Sequence, residues 1–296
     1  MANLFWYICL AFIGVGSSAY TIYKKRDIYK VSTLIMFYLF AAGITWIGEF
    51  IVLGLFNSYA YKTGLFADPW AQNLLGHLLI NTTLYPSAAI VMVANSLRYG
   101  WILSVAIVFT LIEYLFVKLR IYEQHWWRYY MTFIAIVIFL LISVYWFTKM
   151  NQKAYGSTRA LTFFFIALLI IHTPAPLLLL LGKQYYQIGF INNWAGNFYL
   201  PSIIIIFFYH LIESFLLVLF TCILKKRYWI AAPLTISLAA QSIFAKMNIL
   251  IIEDEWKLVY TIFIYEIFIA VFILLEKYTL KPDLNILERN RLNTFI

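Results

Sequence analysis

The sequence has few charged residues and only two cysteines. Asp, Glu, Lys and Arg together make up 12% of the 296 residues, whereas hydrophobic residues make up 64%. A soluble fold could not bury so much apolar surface, so the composition predicts a protein that is surrounded by lipid. Cys9 and Cys222 lie far apart in apolar runs, which excludes a disulfide framework and a CxxC metal or redox motif.

The sequence also lacks the short motifs of soluble enzymes, such as a phosphate-binding loop, a nucleophile elbow or a zinc-protease helix. Its net charge of +9 comes from Lys and Arg clusters between apolar runs, a pattern typical of membrane topology signals rather than of nucleic-acid surfaces. We therefore expect no cofactor and no nucleic-acid partner, and we favour a non-enzymatic function. The expected partners are the lipid bilayer and, as a further interpretation, other membrane proteins or copies of the same chain.

Long apolar runs divide the chain into nine predicted transmembrane helices. A helix needs about 20 apolar residues to cross the hydrocarbon core of a bilayer. The predicted fold is therefore all-α, a polytopic transmembrane bundle whose connections are too short for a soluble domain. The runs occupy residues 3–22, 31–55, 74–95, 99–119, 130–148, 160–181, 201–224, 228–247 and 257–276.

Basic residues are distributed unequally between the two ends of these helices. If the N-terminus lies outside, most of the 22 Lys and Arg residues fall in the inner segments. Cytoplasmic segments of membrane proteins carry such an excess, so we expect an external N-terminus and a cytoplasmic C-terminus.

The chain repeats several residues after its first span. Tyr61 and Gly64 recur as Tyr186 and Gly189, and further pairs follow at a nearly constant offset. These further pairs are Arg98-Tyr99 with Arg227-Tyr228, Trp127-Arg128 with Trp256-Lys257, and Thr132 with Thr261. They predict a leading span and basic loop (1–30), two four-span units of the same orientation (31–150 and 151–280) and a short cytoplasmic tail (281–296).

The first predicted unit carries a family resemblance. Its segments ITWIGEFIVLGLF (44–56), Tyr85-Pro86, FTLIEYLFVK (109–118), HWWRYYMTF (125–133) and VYWFTK (144–149) resemble an uncharacterised family of short, four-span membrane proteins of endospore-forming Gram-positive bacteria. The resemblance implies a bacterial cytoplasmic membrane and no particular activity. The second unit departs from it, because Pro174 stands at the position of Glu49 and Ser242 at that of Glu113.

Four ionisable residues of the second unit are predicted to lie near the middle of the membrane: His172, His210, Glu213 and Glu266. An ionisable side chain at that depth costs several kcal/mol, so it marks a candidate functional site and should face the bundle interior. His210 and Glu213 are three residues apart and share a helix face. Nearby, Pro174 and Pro176 cannot donate backbone hydrogen bonds, so the helix should break close to His172.

Three interpretations of this polar set remain open. The set could handle protons or cations, it could bind a metal ion through two His and two carboxylates, or it could only join helices through hydrogen bonds. Secondary candidates lie in the first unit: Glu49, Asn81 and Glu113. These groups could line an outward vestibule, or they could simply pair with one another and with Lys118, whose long side chain can reach the membrane interface. We favour pairing.

The leading functional hypothesis is therefore proton- or cation-linked transport or permeation through the bundle. A non-enzymatic membrane scaffold or interaction protein, related to the spore envelope, is the alternative, and an intramembrane metal-dependent enzyme that acts on lipid is a second one. A cavity among the ionisable residues would favour transport. Fully paired residues without a cavity would favour the scaffold, and a lipid-sized opening at His210 would favour the enzyme.

Overall fold

The computed structural model describes residues 2–97, 99–152, 156–189, 199–225, 227–253 and 255–280. Within these ranges the chain is almost entirely helical, which confirms the predicted all-α transmembrane bundle. The helices are α1 (Ala2–Lys25), α2 (Val31–Glu49), α3 (Pro69–Leu79), α4 (Tyr85–Ala94), α5 (Tyr99–Lys118), α6 (Tyr129–Gln152), α7 (Gly156–His172), α8 (Pro174–Leu180), α9 (Tyr199–Val218), α10 (Ala231–Lys246) and α11 (Leu258–Tyr278). The predicted tail at 281–296 lies outside the described residues.

Three of the spans include a π-helical segment, whose turns are wider than those of an α-helix. One π-helical segment, Phe50–Leu55, continues α2. A second, Ile80–Leu84, joins α3 to α4, and a third, Leu219–Leu224, continues α9. Such turns are rare and often lie at functional positions.

Local sequence explains where two of the spans begin or break. Asp68 accepts hydrogen bonds from the backbone N–H groups of Trp70 and Ala71, and Pro69 occupies the first helical position of α3. The third span therefore starts at Pro69 rather than at the predicted residue 74. The break predicted near His172 is present, because α7 ends at that residue and α8 begins at Pro174.

Four short strands form two antiparallel pairs at the ends of the helices. β1 (Tyr59–Tyr61) pairs with β2 (Tyr122–Gln124), and β3 (Gln184–Tyr186) pairs with β4 (Leu250–Ile252). Each pair brings two distant connections to one face of the bundle.

In the described part of the chain, eight helical stretches are long and apolar enough to cross a membrane. They match eight of the nine predicted spans. The remaining prediction, 228–247, corresponds to α10, which has 16 residues and follows a 3-10 turn at Arg227–Ile230. Strand β3 precedes α9 and strand β4 follows α10, and the two strands pair. The chain after α10 therefore lies at the same face of the bundle as the start of α9, so α10 crosses the bundle in the opposite direction to α9.

The helices of both predicted units share one apolar core. Buried side chains that contribute to it come from α2, α4, α6, α7 and α11, and include Phe37, Ile90, Leu140, Phe163 and Ile269. Helices α2 and α7 approach most closely at Gly43, where an added Cβ would lie only 2.3 Å from the carbonyl oxygen of Phe165. The outward faces are rich in exposed large apolar side chains, among them Phe12, Trp101, Ile138 and Phe263, as expected of a surface in contact with lipid.

Several contacts recur in the two predicted units. The Tyr61 backbone N–H donates to the Asn73 side chain, and the Tyr186 backbone N–H donates to the Ser202 hydroxyl, both at 2.8 Å. The indole N–H donates to a threonine hydroxyl in each unit, from Trp127 to Thr132 and from Trp256 to Thr261. A duplicated unit would produce such correspondences, and the repeat itself stays a prediction.

Candidate polar site within the bundle

A cavity of about 230 Å³ lies in the first predicted unit, between α2, the π-helical segment Ile80–Leu84, α5, α6 and the β1–β2 pair. We call it the main cavity. Its lining includes all three secondary candidates from the sequence, Glu49, Asn81 and Glu113. The structure therefore places a polar cavity in the first unit, beside the secondary candidates.

Glu49 lies at the end of α2, where the helix changes to π geometry, and is buried. Its Oε2 accepts a hydrogen bond of 2.6 Å from the Tyr59 hydroxyl. Its Oε1 has no hydrogen-bond partner among the described residues. Asn81, on the facing π-helical segment, donates to the Tyr61 hydroxyl at 3.4 Å, so strand β1 connects the two helices at this level.

Glu113 reaches the main cavity from α5 and is also buried. Its Oε1 accepts a hydrogen bond of 2.8 Å from Gln124 of strand β2, whereas its Oε2 lacks a partner within the described part of the chain. The predicted pairing with Lys118 is wrong. The Lys118 ammonium group lies 4.9 Å from the centroid of the Tyr114 ring, because a side chain at the end of a membrane helix extends toward the interface.

A second, smaller cavity of about 40 Å³ adjoins the other side of Glu49. His77, His172 and Trp46 line it together with that glutamate, and the Trp46 ring packs against both imidazole rings at centroid distances of 4.8 and 5.4 Å. We call it the histidine cavity. Glu49 therefore faces both cavities.

His77 was missed by the sequence analysis. A span starting at residue 74 would have placed it near the membrane boundary, whereas the span that starts at Pro69 places it in the third turn of the helix. The Asp68 cap and the following proline were the signal that could have revealed its depth. His77 is buried, and its Nδ1 has no hydrogen-bond partner among the residues described.

The structure brings together His172 and His210, two of the four ionisable residues that were expected to face the bundle interior. Their Nδ1 atoms are 3.0 Å apart, and both rings are buried. Two neutral imidazoles can form this bond only if one carries its proton on Nδ1 and the other carries it on Nε2. A proton added to the donating ring can pass to the other ring through this Nδ1–Nδ1 contact. Among the described residues His210 is fully buried, so its side chain has no exposure to lipid.

Glu213 and Glu266 lie beyond His210 in the second unit. Glu213 is buried near the hydroxyls of Tyr209 and Ser237 and within electrostatic reach of the half-buried Glu266. Neither carboxylate oxygen of Glu213 has a hydrogen-bond partner in the described ranges. The described residues contain no group of three or more His, Cys, Asp or Glu side chains arranged to hold a metal ion, so the four predicted metal ligands do not converge.

The chain matches no protein-family model, no curated protein and no solved structure. Its function therefore has to be inferred from the geometry of its own side chains. The geometry identifies an integral membrane protein with ionisable residues from both halves of the chain in its interior.

Proposed function

We propose that this integral membrane protein conducts protons or small cations through its helical bundle. The observation that carries the proposal is the position of Glu49, which lines both the main cavity and the histidine cavity. On one side it faces the cavity that also contains Glu113, and on the other it faces His77 and His172, the latter in contact with His210. Chains of Glu and His side chains within a membrane are typical of proton and cation pathways.

The unpartnered oxygens support the same proposal. Glu49 and Glu113 each leave one carboxylate oxygen without a partner among the described residues, beside a cavity. A purely structural polar contact would pair these atoms, because a buried unpaired polar group costs free energy. A cation or an exchanging proton gives these oxygens a function.

The alternatives receive less support from the geometry. A scaffold would be expected to have its buried ionisable groups fully paired and no cavity beside them, unlike Glu49 and Glu113. An intramembrane enzyme at His210 would need access for lipid, and His210 is fully enclosed. A role in the spore envelope and assembly with other membrane proteins or further copies of the chain stay predictions.

We also propose that the protein resides in a bacterial cytoplasmic membrane with its N-terminus outside and its C-terminus in the cytoplasm. The bias of Lys and Arg supports the orientation. The family resemblance of residues 40–150 supports the location.

Liposomes that contain a pH-sensitive dye test the proposal. After an imposed pH gradient, with potassium and valinomycin clamping the potential, the wild-type chain should change the internal pH faster than protein-free liposomes. Glu49→Gln keeps an acceptor for the Tyr59 hydroxyl but removes the charge, so its rate should fall to that of protein-free liposomes. The matched control is Glu123→Gln, on the exposed edge of β2, which should behave as wild type. Equal rates for wild type and Glu49→Gln would contradict the proposal.

A further inference from the structure

The main cavity is surrounded by aromatic rings as well as carboxylates. Tyr59 stands at the centre of this group, with its ring centroid 5.7 Å from that of Tyr61, 5.0 Å from that of Tyr122 and 5.8 Å from that of Trp127. The rings of Tyr61 and Tyr122 are 5.5 Å apart. All four side chains line the main cavity, and we call them the aromatic cage.

The lining of the main cavity is acidic without a basic partner. Of the residues that the structure describes, the lining contains Glu49 and Glu113 but no Lys, Arg or His. The nearest basic residue of strand β1 in sequence, Lys62, forms an ion pair with Glu123 at 2.6 Å, with both side chains partly exposed. Two carboxyl groups and several ring faces without a basic neighbour in the lining therefore favour a positively charged occupant over an anion.

The size and lining of the cavity select among cations. A volume of about 230 Å³ lies just below the range of roughly 300–1,000 Å³ that is usual for drug-sized ligands, and it exceeds the space required by a bare metal ion. Hard metal ions require six or more oxygen ligands at short distance. The main cavity offers mainly aromatic and aliphatic carbon around two carboxylates, which suits a cation that carries alkyl groups.

We infer that the main cavity binds a small organic ammonium ion. The aromatic cage would contact the alkyl groups and stabilise the charge through cation–π interactions, which is the arrangement that recognises quaternary ammonium ligands. The carboxylates of Glu49 and Glu113 would balance the charge. Their unpartnered oxygens can also accept N–H bonds from a primary or secondary amine. This inference rests on the proposed function, since it specifies the cation for the same cavity.

Calorimetric titration of the purified chain in a maltoside detergent tests this inference, with tetramethylammonium chloride as the probe and sodium chloride as the reference. Tetramethylammonium should bind saturably, and sodium should not. Tyr122→Phe keeps the ring and should bind tetramethylammonium as wild type does. Tyr122→Leu removes the ring and should weaken binding by about 2- to 30-fold, the range expected for one cation–π contact. Tyr130→Leu, at an exposed position on α6, is the matched control and should bind normally.

The inference is overturned if tetramethylammonium binds no better than sodium, or if Tyr122→Leu binds as tightly as wild type while its melting temperature shows a folded protein. Proton flux in liposomes without ammonium binding would overturn this inference and leave the proposed function intact. Ammonium binding that Tyr122→Leu weakens, in a chain without flux, would support the inference and contradict the proposed function.

Discussion

Ionisable residues in this bundle differ in how completely they are paired. His172 and His210 bond to each other through their Nδ1 atoms. Glu49 and Glu113 each use one oxygen in a hydrogen bond and leave the other open beside a cavity. The Nε2 atom of His210 also lacks a partner among the described residues, but only the open glutamate oxygens lie beside the main cavity. Because unpaired polar groups are costly in lipid, a bound cation or proton would stabilise these oxygens.

The histidine contact can be tested by replacing one of its members. His210→Ala should abolish the pH-dependent flux in liposomes, because it removes the contact through which His172 would pass a proton. The loss of stability should be small, since a polar contact between membrane helices contributes about 0.6 kcal/mol on average and rarely more than ~2 kcal/mol. His125→Ala, at an exposed residue, is the control and should leave flux unchanged. Normal flux in His210→Ala, with a lower melting temperature, would mean that the contact only joins helices.

Lys62 and Glu123 form an ion pair on the edge of the β1–β2 pair, and this ion pair should make stability depend on pH. The hydrogen bond from Lys62 and its charge lower the pKa of Glu123. A lowered carboxyl pKa stabilises the fold above the unfolded pKa, and this stabilisation is lost as the pH falls through the lowered value. Because both side chains are substantially exposed, the effect should stay below about 1 kcal/mol.

The melting temperature of wild type should therefore be slightly higher than that of Glu123→Gln at neutral pH, and the two should converge as the pH falls through the lowered pKa of Glu123. A difference between the two melting temperatures that grows as the pH falls would contradict a stabilising ion pair between Lys62 and Glu123.

At the scale of helices, the contact between α2 and α7 sets the relation between the two predicted units. Gly43 allows the α2 backbone to approach the carbonyl of Phe165, and Gly76 of α3 similarly leaves room for the Tyr61 ring. Both glycines occupy positions where a side chain would collide with a neighbour. The position of Glu49, in the same helix as Gly43, depends on this close packing.

Gly43→Ala should destabilise the protein by about 1–3 kcal/mol, because the added methyl group would lie within 2.3 Å of a backbone oxygen and force the helices apart. Gly16→Ala is the matched control, since nothing lies within 4 Å of the methyl group that it would add. Thermal unfolding in detergent measures both changes. A Gly43→Ala protein that melts like Gly16→Ala would contradict the close approach of α2 and α7.

The sequence predicted the helices, because long apolar runs have a strong physical signature, and it singled out His172 and His210 as ionisable residues that should face the bundle interior. It did not predict the importance of the main cavity. That cavity depends on Tyr59 and Tyr61 in a three-residue strand, which is too short to show a pattern, and on the pairing of this strand with Tyr122 far along the chain. The depth of His77 was also missed, since it depends on the cap at Asp68.

For the whole molecule, ionisable side chains extend from one half of the chain to the other. They begin at Glu113 and Glu49 in the main cavity, pass the histidine cavity and reach His210, with Glu213 beyond it. Helix α1 is part of this assembly, because Tyr7 lines the main cavity and its hydroxyl donates to the carbonyl of Ile121 at 2.6 Å. The main cavity therefore depends on α1 as well as on the first predicted unit.

In the proposed function, charge crosses the bundle by way of Glu49. The most direct test is the current across a planar bilayer that contains the purified chain, measured with different pH values on the two sides. Wild type should give a cation-selective current, and if protons carry it the reversal potential should shift by about 59 mV per pH unit. Glu49→Gln should give no current. A current that is anion-selective, absent in wild type or unchanged in Glu49→Gln would contradict the proposed function.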